Sequence, residues 1–340
     1  MTMEPEDVRP IPGANDSLVD MALAATLIPR RPFGAHKWGV GGLLIVGGAP
    51  NYFGAPILAA LAAQRSGAGI VNLAVPRGVA PVIAAAAPEA TFVTLSETES
   101  AQGARRASDD IAERLEKSAA LVIGPGLGQD ESSDGLMAAL FGASTPNAGI
   151  GFGIGPSVAG ASQRKGLLGS SKRPMVIDAD ALNWLAKQNE WWNLLPAHKC
   201  VLTPHLGEMA RLTGRSMEEI SADPLGTATA AASDWNQIVV LKYGYTVATN
   251  GDGAMIANDA PRSLATAGSG DILAGTIGAF LAQGLAPLDA AALAIYVGCA
   301  AARRVEATTG TLGLVASDLP LAIAMELAEL ERNEVRENVK

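Results

Sequence analysis

"LLIVGGAPNYFGAPILAALAAQRSGAGIVNLAVP", Leu43 to Pro76, holds a complete strand–helix–strand unit. Leu43–Val46 is an unbroken apolar run that Gly47 and Gly48 close, which reads as a strand buried on both faces. "GAPILAALAAQR" has helical length and composition, and the glycines at 67 and 69 stop it. "IVNLAVP" then starts a second apolar strand. Two such strands joined by a helix must run parallel, because a crossover of this length carries the chain back across one face of the sheet.

The theme continues outward. "ATFVTL" (90–95), "ALVIGPG" (120–126), "MVIDAD" (175–180), "CVLTP" (200–204) and "IVVLK" (238–242) are further short apolar runs, most of them followed by helical segments. The expected fold is α/β, with a mainly parallel central sheet and helices on both faces. "VATNGDGAMIAND" differs, because Asn250-Gly251-Asp252-Gly253 between two short strands marks a hairpin. From Gly270 to about Glu334 the chain reads as nearly all helix. Residues 1–32 form a leader in which "DSLVDMALAATLIP" reads as one docked helix. The segment from about 142 to 170 is Gly/Ser-rich, too long for an ordinary connection and without apolar period, and reads as disordered in preference to a mobile flap. Residues 33–337 are expected to form one domain around this insertion.

The 340 residues are 49% hydrophobic, enough for a large core. A formal net charge of −9 without a sustained basic run argues against a nucleic-acid groove or an anionic membrane surface. Cys200 and Cys299 both lie in apolar contexts and read as buried free thiols of a reducing compartment. "MTMEPEDVRP" lacks the basic start and apolar core of a signal peptide, and the run Ala290 to Ala302 is short for a membrane span. The expected location is cytoplasmic.

In parallel sheets ligands bind beyond the carboxyl ends of the strands, so the chemistry is sought there. "GGAPNYFGAP" and "GPGLG" allow close backbone approach, although a tight turn explains each equally well. In "DADALN", Asp178 and Asp180 end a strand, and Asp180 reads as the N-cap of the following helix. In "TPHLGE", His205 and Glu208 share a helical face. Neither they nor His36 and His198 have the spacing of a structural zinc site, whereas Glu208 could hold water on Mg²⁺. Lys242 ends a strand and suits a phosphate or ribose. In "LATAGSGDILAGTIGAFLAQG" (264–284) a small-residue turn and a lone acid open a long apolar helix. Asp271 there either favours the helix dipole, or takes a proton from a nucleophile while the amides of Gly268, Ser269 and Gly270 hold a phosphate.

Taken in order, "GGAPNYFGAPILAALAAQRSGAG", "LVIGPGLG", "VIDADALNWLA", "VLTPHLGE", "VVLKYGYTVA" and "LATAGSGDILAG" resemble the NAD(P)H-hydrate dehydratase family of the ribokinase-like superfamily, from about Lys37 to Leu321. The resemblance implies a three-layer ribokinase-like fold and a nucleotide-driven dehydration. The hydroxyl of a hydrated nicotinamide ring is phosphorylated and then eliminated, restoring NADH or NADPH. ADP is the donor in bacterial members and ATP in eukaryotic ones, with Mg²⁺ assisting. Carried over by motif, Ala55, Gly126 and His205 contact the hydrated dinucleotide. Lys242, Tyr243, Gly244, Tyr245, Thr246, Gly268, Ser269 and Gly270 contact the adenine nucleotide, and Asp271 is the base on the substrate hydroxyl.

The resemblance further implies a homo-tetramer and a separate NAD(P)H-hydrate epimerase in the same pathway, since the leader is too short for the epimerase domain often fused there. Three motifs depart from the family pattern, at four positions. Ala267 and Leu206 replace a glycine and a proline, and Tyr243 and Tyr245 replace both glycines of K-G-x-G-T. Two rival readings are a small-alcohol kinase of the same superfamily, acting on a vitamin precursor, and a nucleotide-binding paralogue that has lost catalysis.

Overall fold

A computed structural model describes residues 15–96, 98–142, 166–257 and 260–337. The strands are β1 (Ser17–Leu18), β2 (Gly42–Val46), β3 (Ile70–Pro76), β4 (Thr91–Leu95), β5 (Ala120–Ile123), β6 (Met175–Ile177), β7 (Cys200–Leu202), β8 (Ile238–Tyr243), β9 (Tyr245–Thr249) and β10 (Ala254–Ala257). They form one sheet in the order β1-β10-β9-β8-β7-β6-β5-β2-β3-β4. Every pairing from β4 across to β8 is parallel, and β8, β9 and β10 pair antiparallel. The strand order reverses beside β2, which has β3 on one side and β5 on the other. The crevice above that reversal is where open α/β sheets bind ligands.

Helices cover both faces. On one lie α1 (Met21–Leu27), α3 (Gly54–Arg65), α4 (Ala80–Ala86), α11 (Ser269–Ala282), α12 (Pro287–Gly313) and α13 (Leu319–Glu337); α2 (Lys37–Val40) leads into β2. On the other lie α5 (Ala101–Glu116), α6 (Glu131–Phe141), α7 (Ala179–Leu185), α8 (Leu206–Thr213), α9 (Met217–Ala222) and α10 (Pro224–Trp235). The strands divide their residues between two cores. Leu43 and Ile45 of β2 pack into the first and Leu44 and Val46 into the second, all fully buried. That is the period-2 alternation of a strand covered on both sides, and the three layers match the expected α/β architecture.

The leader contributes α1 as expected, with Ala24 buried against α12 and α13. It also contributes β1, which the sequence did not announce. The Gly/Ser-rich insertion falls largely outside the described residues. Where the chain resumes, Leu168 is fully buried and its amide bonds to the Leu140 carbonyl.

Helix α11 determines where the site lies. A Cβ at Gly275 would meet the Ala59 carbonyl oxygen of α3 at 2.1 Å, and one at Gly278 would meet Val122 of β5 at 2.4 Å. Only bare backbone permits this approach, so α11 runs closely against both α3 and the sheet. Its N-terminus is thereby fixed at the carboxyl ends of the strands.

Candidate active site

Gly268, at φ +90, turns the chain into α11, a conformation that favours glycine. The Ser269 hydroxyl is spent on this turn, donating to the carbonyls of Leu264 (2.8 Å) and Thr266 (3.0 Å). The backbone N–H groups of Gly270 and Asp271 have no partner among the described residues, and so the helix end keeps donors that an anion could use. Asp271 sits in this first turn. Burial, with the Asp178 charge next in weight, pushes its pKa up to about 7; Asp180 and Glu208 add to the rise and Lys242 opposes it.

Facing that helix end is Lys242, at the end of β8. Its Nζ lies 3.2 Å from where a Gly270 Cβ would stand, which places the ammonium over the turn. Lys242 donates to Asp178 Oδ1 at 3.0 Å, and the Thr203 hydroxyl donates to the same oxygen at 2.7 Å. Burial works against the lysine's charge, but Asp178, Glu208 and Asp271 outweigh it and raise its pKa above the ordinary value.

Across the crevice, Gly126 (φ +63) packs so closely that a Cβ would meet the Tyr52 carbonyl oxygen at 2.3 Å and the Ala55 Cβ at 3.0 Å. Ala55 and Gly126 therefore share one wall. Asp180 departs from its expected role. It lies inside the first turn of α7, with Asp178 at the N-cap position, and its carboxylate accepts from Gly128 N at 2.9 Å and Gln129 Nε2 at 3.2 Å. It braces the glycine turn instead of capping a helix.

His205 and Glu208 form a capping box at the start of α8. His205 Nδ1 accepts from the amides of Gly207 (3.0 Å) and Glu208 (3.3 Å), and Glu208 Oε2 accepts from His205 N at 2.9 Å. Burial, Lys242 and Arg211 hold the imidazole pKa below its usual value, so at neutral pH the ring is uncharged and Nε2 carries the proton. The His205 side chain is about half exposed, which leaves the ring open to a ligand. Burial lifts Glu208 to about 7. With Oε1 3.5 Å from His205 Nε2, both of its oxygens are turned toward His205. Among the described residues no group of three or more His, Cys, Asp or Glu side chains is arranged to hold a metal. A Mg²⁺ that arrives on phosphates needs only one or two carboxylates and water, and Glu208, the residue the sequence suggested for it, also serves the helix start through Oε2.

A cleft of about 1200 Å³ opens beside the α11 N-terminus, with Lys242 to Thr246, Ser269 and Gly270 on one side and Ile272, Leu273, Ala294, Ile295 and Leu319 forming an apolar wall. A cationic end and an apolar wall suit a phosphate-bearing aromatic base. Gly268 does not line this cleft; it turns toward Leu58 and Ala316. Tyr243 and Tyr245 pair across a tight turn at Gly244 (φ +58). Tyr245 is 7% exposed in the second core, where the Leu225 backbone hydrogen-bonds to it. Its bulk is thus taken up mainly by the core. Sequence reasoning missed the α12 wall, which carries no motif, and the Asp178–Lys242 pair, whose members lie 64 positions apart.

Residues 43–324 match the family model described as NAD(P)H-hydrate dehydratase. A bifunctional NAD(P)H-hydrate repair enzyme of Moorella thermoacetica is 37% identical over 93% of this chain and 55% of its own length. The chain spans about half the length of the first such bifunctional relatives. An ADP-dependent (S)-NAD(P)H-hydrate dehydratase of Neisseria meningitidis is 32% identical over 84% of both chains. The crystal structure of the Bacillus subtilis ADP/ATP-dependent NAD(P)H-hydrate dehydratase, co-crystallised with ATP/Mg²⁺, superposes with a TM-score of 0.72 at 26% identity, covering 95% of this chain and all of that one.

Proposed function

Because the chain belongs to the NAD(P)H-hydrate dehydratase family, we propose that it restores NADH and NADPH from their hydrated S-epimers, driven by an adenine nucleotide. The observation that carries this reading is the convergence at one helix end: the buried Asp271 carboxyl, the Lys242 ammonium and two free amides, at the carboxyl ends of the strands.

Asp271 accepts the proton of the substrate hydroxyl as its oxygen attacks the terminal phosphorus of the nucleotide. The bond from that phosphorus to the bridging oxygen breaks, so ADP leaves as AMP. The phosphate ester then departs from the ring with a proton from the neighbouring carbon, and the double bond is restored. A base with a pKa near the working pH combines availability with driving force. Lys242 and the amides of Gly270 and Asp271 stabilise charge on the transferring phosphoryl. Ala55 and Gly126 form the close wall for the hydrated ring, and His205 Nε2–H offers it a donor. Lys242 to Thr246 and Gly270 hold the nucleotide.

ADP is assigned as donor by likeness to the ADP-dependent dehydratase of Neisseria meningitidis. Mg²⁺ enters with the nucleotide's phosphates as part of that co-substrate, and no step is assigned to it. Epimerisation falls to an epimerase acting in the same pathway. The assembly is expected to be a homo-tetramer, which a monomer in light scattering would refute.

The test is incubation with hydrated NADH plus ADP or ATP, following absorbance of the restored dihydronicotinamide. Restoration with ADP supports the proposal, and turnover with ATP alone overturns the donor assignment. Nucleotide binding without restoration would mark a non-catalytic paralogue. Phosphorylation of a vitamin-precursor alcohol would mark a kinase.

A further inference from the structure

Asp178 stands at the N-cap position of α7, yet its side chain makes no cap hydrogen bond. An aspartate there ordinarily satisfies a free amide of its own helix. The next residue, Ala179, sits at φ 49, a left-handed conformation that alanine holds only where its surroundings enforce it. A Cβ at Gly124 would meet the Asp178 carbonyl oxygen at 1.8 Å, so the end of β5 packs straight onto this backbone.

These local departures fix the direction of one carboxylate. It is 2% exposed, binds Lys242 Nζ at 3.0 Å and the Thr203 hydroxyl at 2.7 Å, and extends Oδ2 to 4.0 Å from the Gly270 Cβ position. Stability alone does not explain the arrangement, because a buried ion pair contributes little beyond what packed apolar side chains would.

We propose that Asp178 is a positioning residue, holding the Lys242 ammonium over the turn at Gly270 where the transferring phosphoryl passes, without touching either substrate. The identity of the transferred group rests on the dehydratase reading, whereas the placement of the ammonium does not. Asp178 also faces Asp271 together with Asp180, Glu208 and Lys242, so its charge bears on the base as well as on the lysine.

A double-mutant cycle of Asp178→Asn, Lys242→Met and the combined variant tests the proposal. Asp178→Asn is expected to lower kcat about 100-fold, the cost of a misplaced group. The combined variant should be no worse than Lys242→Met alone, because Asp178 acts through the lysine. In Asp178→Asn the acid limb of the pH–rate profile should move below its wild-type position, since a like charge facing Asp271 is gone. A purely structural role would not move that limb.

Labelling of Lys242 with acetic anhydride, read by mass spectrometry, needs no substrate and should speed up in Asp178→Asn as the amine loses its anionic partner. Losses that multiply in the combined variant, or unchanged labelling of Lys242, would overturn the proposal. If Asp178→Asn does not fold, the combined variant against Lys242→Met carries the comparison, and a further tenfold loss refutes it. Labelling as expected in a chain inactive on hydrated NADH would sink the functional reading and leave the positioning role standing.

Discussion

Replacing Asp271 with Asn keeps the size and the helix start but removes the proton acceptor. Turnover should fall by about two to four orders of magnitude, the usual worth of a positioned base. The wild-type rate should rise with pH through about 7, where Asp271 titrates. Roughly a tenth of the carboxyl is ionised one unit below its pKa and roughly half at it, so the rate should climb about fivefold over that unit.

The same burial sets the stability effect. A carboxyl whose folded pKa is raised from 3.8 to about 7 binds its proton more tightly in the folded state. Its cost to stability is therefore absent below the unfolded pKa, accumulates between the two values and is complete above the folded one. About three units at roughly 1.4 kcal/mol each set a ceiling near 4 kcal/mol. Asn carries no such cost. The variant should therefore melt higher than wild type at pH 8, by up to several degrees at roughly 2 °C per kcal/mol, with the difference vanishing near pH 3.5. The assays are absorbance turnover and calorimetric melting at both pH values. Near wild-type turnover would refute the base, and an equal melting difference at both pH values would refute the burial account.

Asp180→Asn should loosen the turn at Gly126 to Gly128 by weakening a charge-assisted hydrogen bond, raising KM for the hydrated dinucleotide about tenfold with kcat little changed. Steady-state kinetics check this, and a pure kcat effect would contradict it. Gly275→Ala should cost about 1–3 kcal/mol or more, because the added methyl meets the Ala59 carbonyl, and should also lower turnover as α11 shifts. Denaturant unfolding read beside activity tests it. His205→Ala should lose about 1 kcal/mol with the cap, whereas His205→Asn should keep the cap yet bind the hydrated dinucleotide more weakly. Equal binding by wild type and His205→Asn would remove the histidine from the substrate site.

The parallel strands from β2 to β8 were legible because most are short, mainly apolar runs that a glycine, proline or aspartate closes, a pattern few other elements produce. "IVNLAVP" corresponds residue for residue to β3. What escaped was set by tertiary partners. β1 is two residues long, too short for a period, and exists because β10 lies beside it. Asp180 reads locally as a cap, yet its partners Gly128 and Gln129 lie more than fifty positions earlier. Lys242 to Thr246 reads as a strand end and folds as a tight turn, because Gly244 supplies the positive φ that its tyrosine neighbours would resist. The motif residues of the site follow the strand ends and were readable in order. Their electrostatic coupling to Asp178 was not, since it depends on which strands are neighbours.

The segment around β1 bears on how the chain comes to be folded. Asn15 donates to the Asp252 carbonyl and Asp16 accepts from Ala254 N, contacts spanning 237 and 238 positions. The earliest of the described residues to leave the ribosome therefore wait for three quarters of the chain before they find their partners. Until then β10 has not formed, and afterwards its outer edge stays open until β1 closes it. An uncovered edge is a template for pairing with another chain. Contacts of such sequence separation slow folding and prolong the exposure of intermediates. Loss of residues 15–18 should therefore show as aggregation during refolding, in a chain whose α11 helix start is untouched.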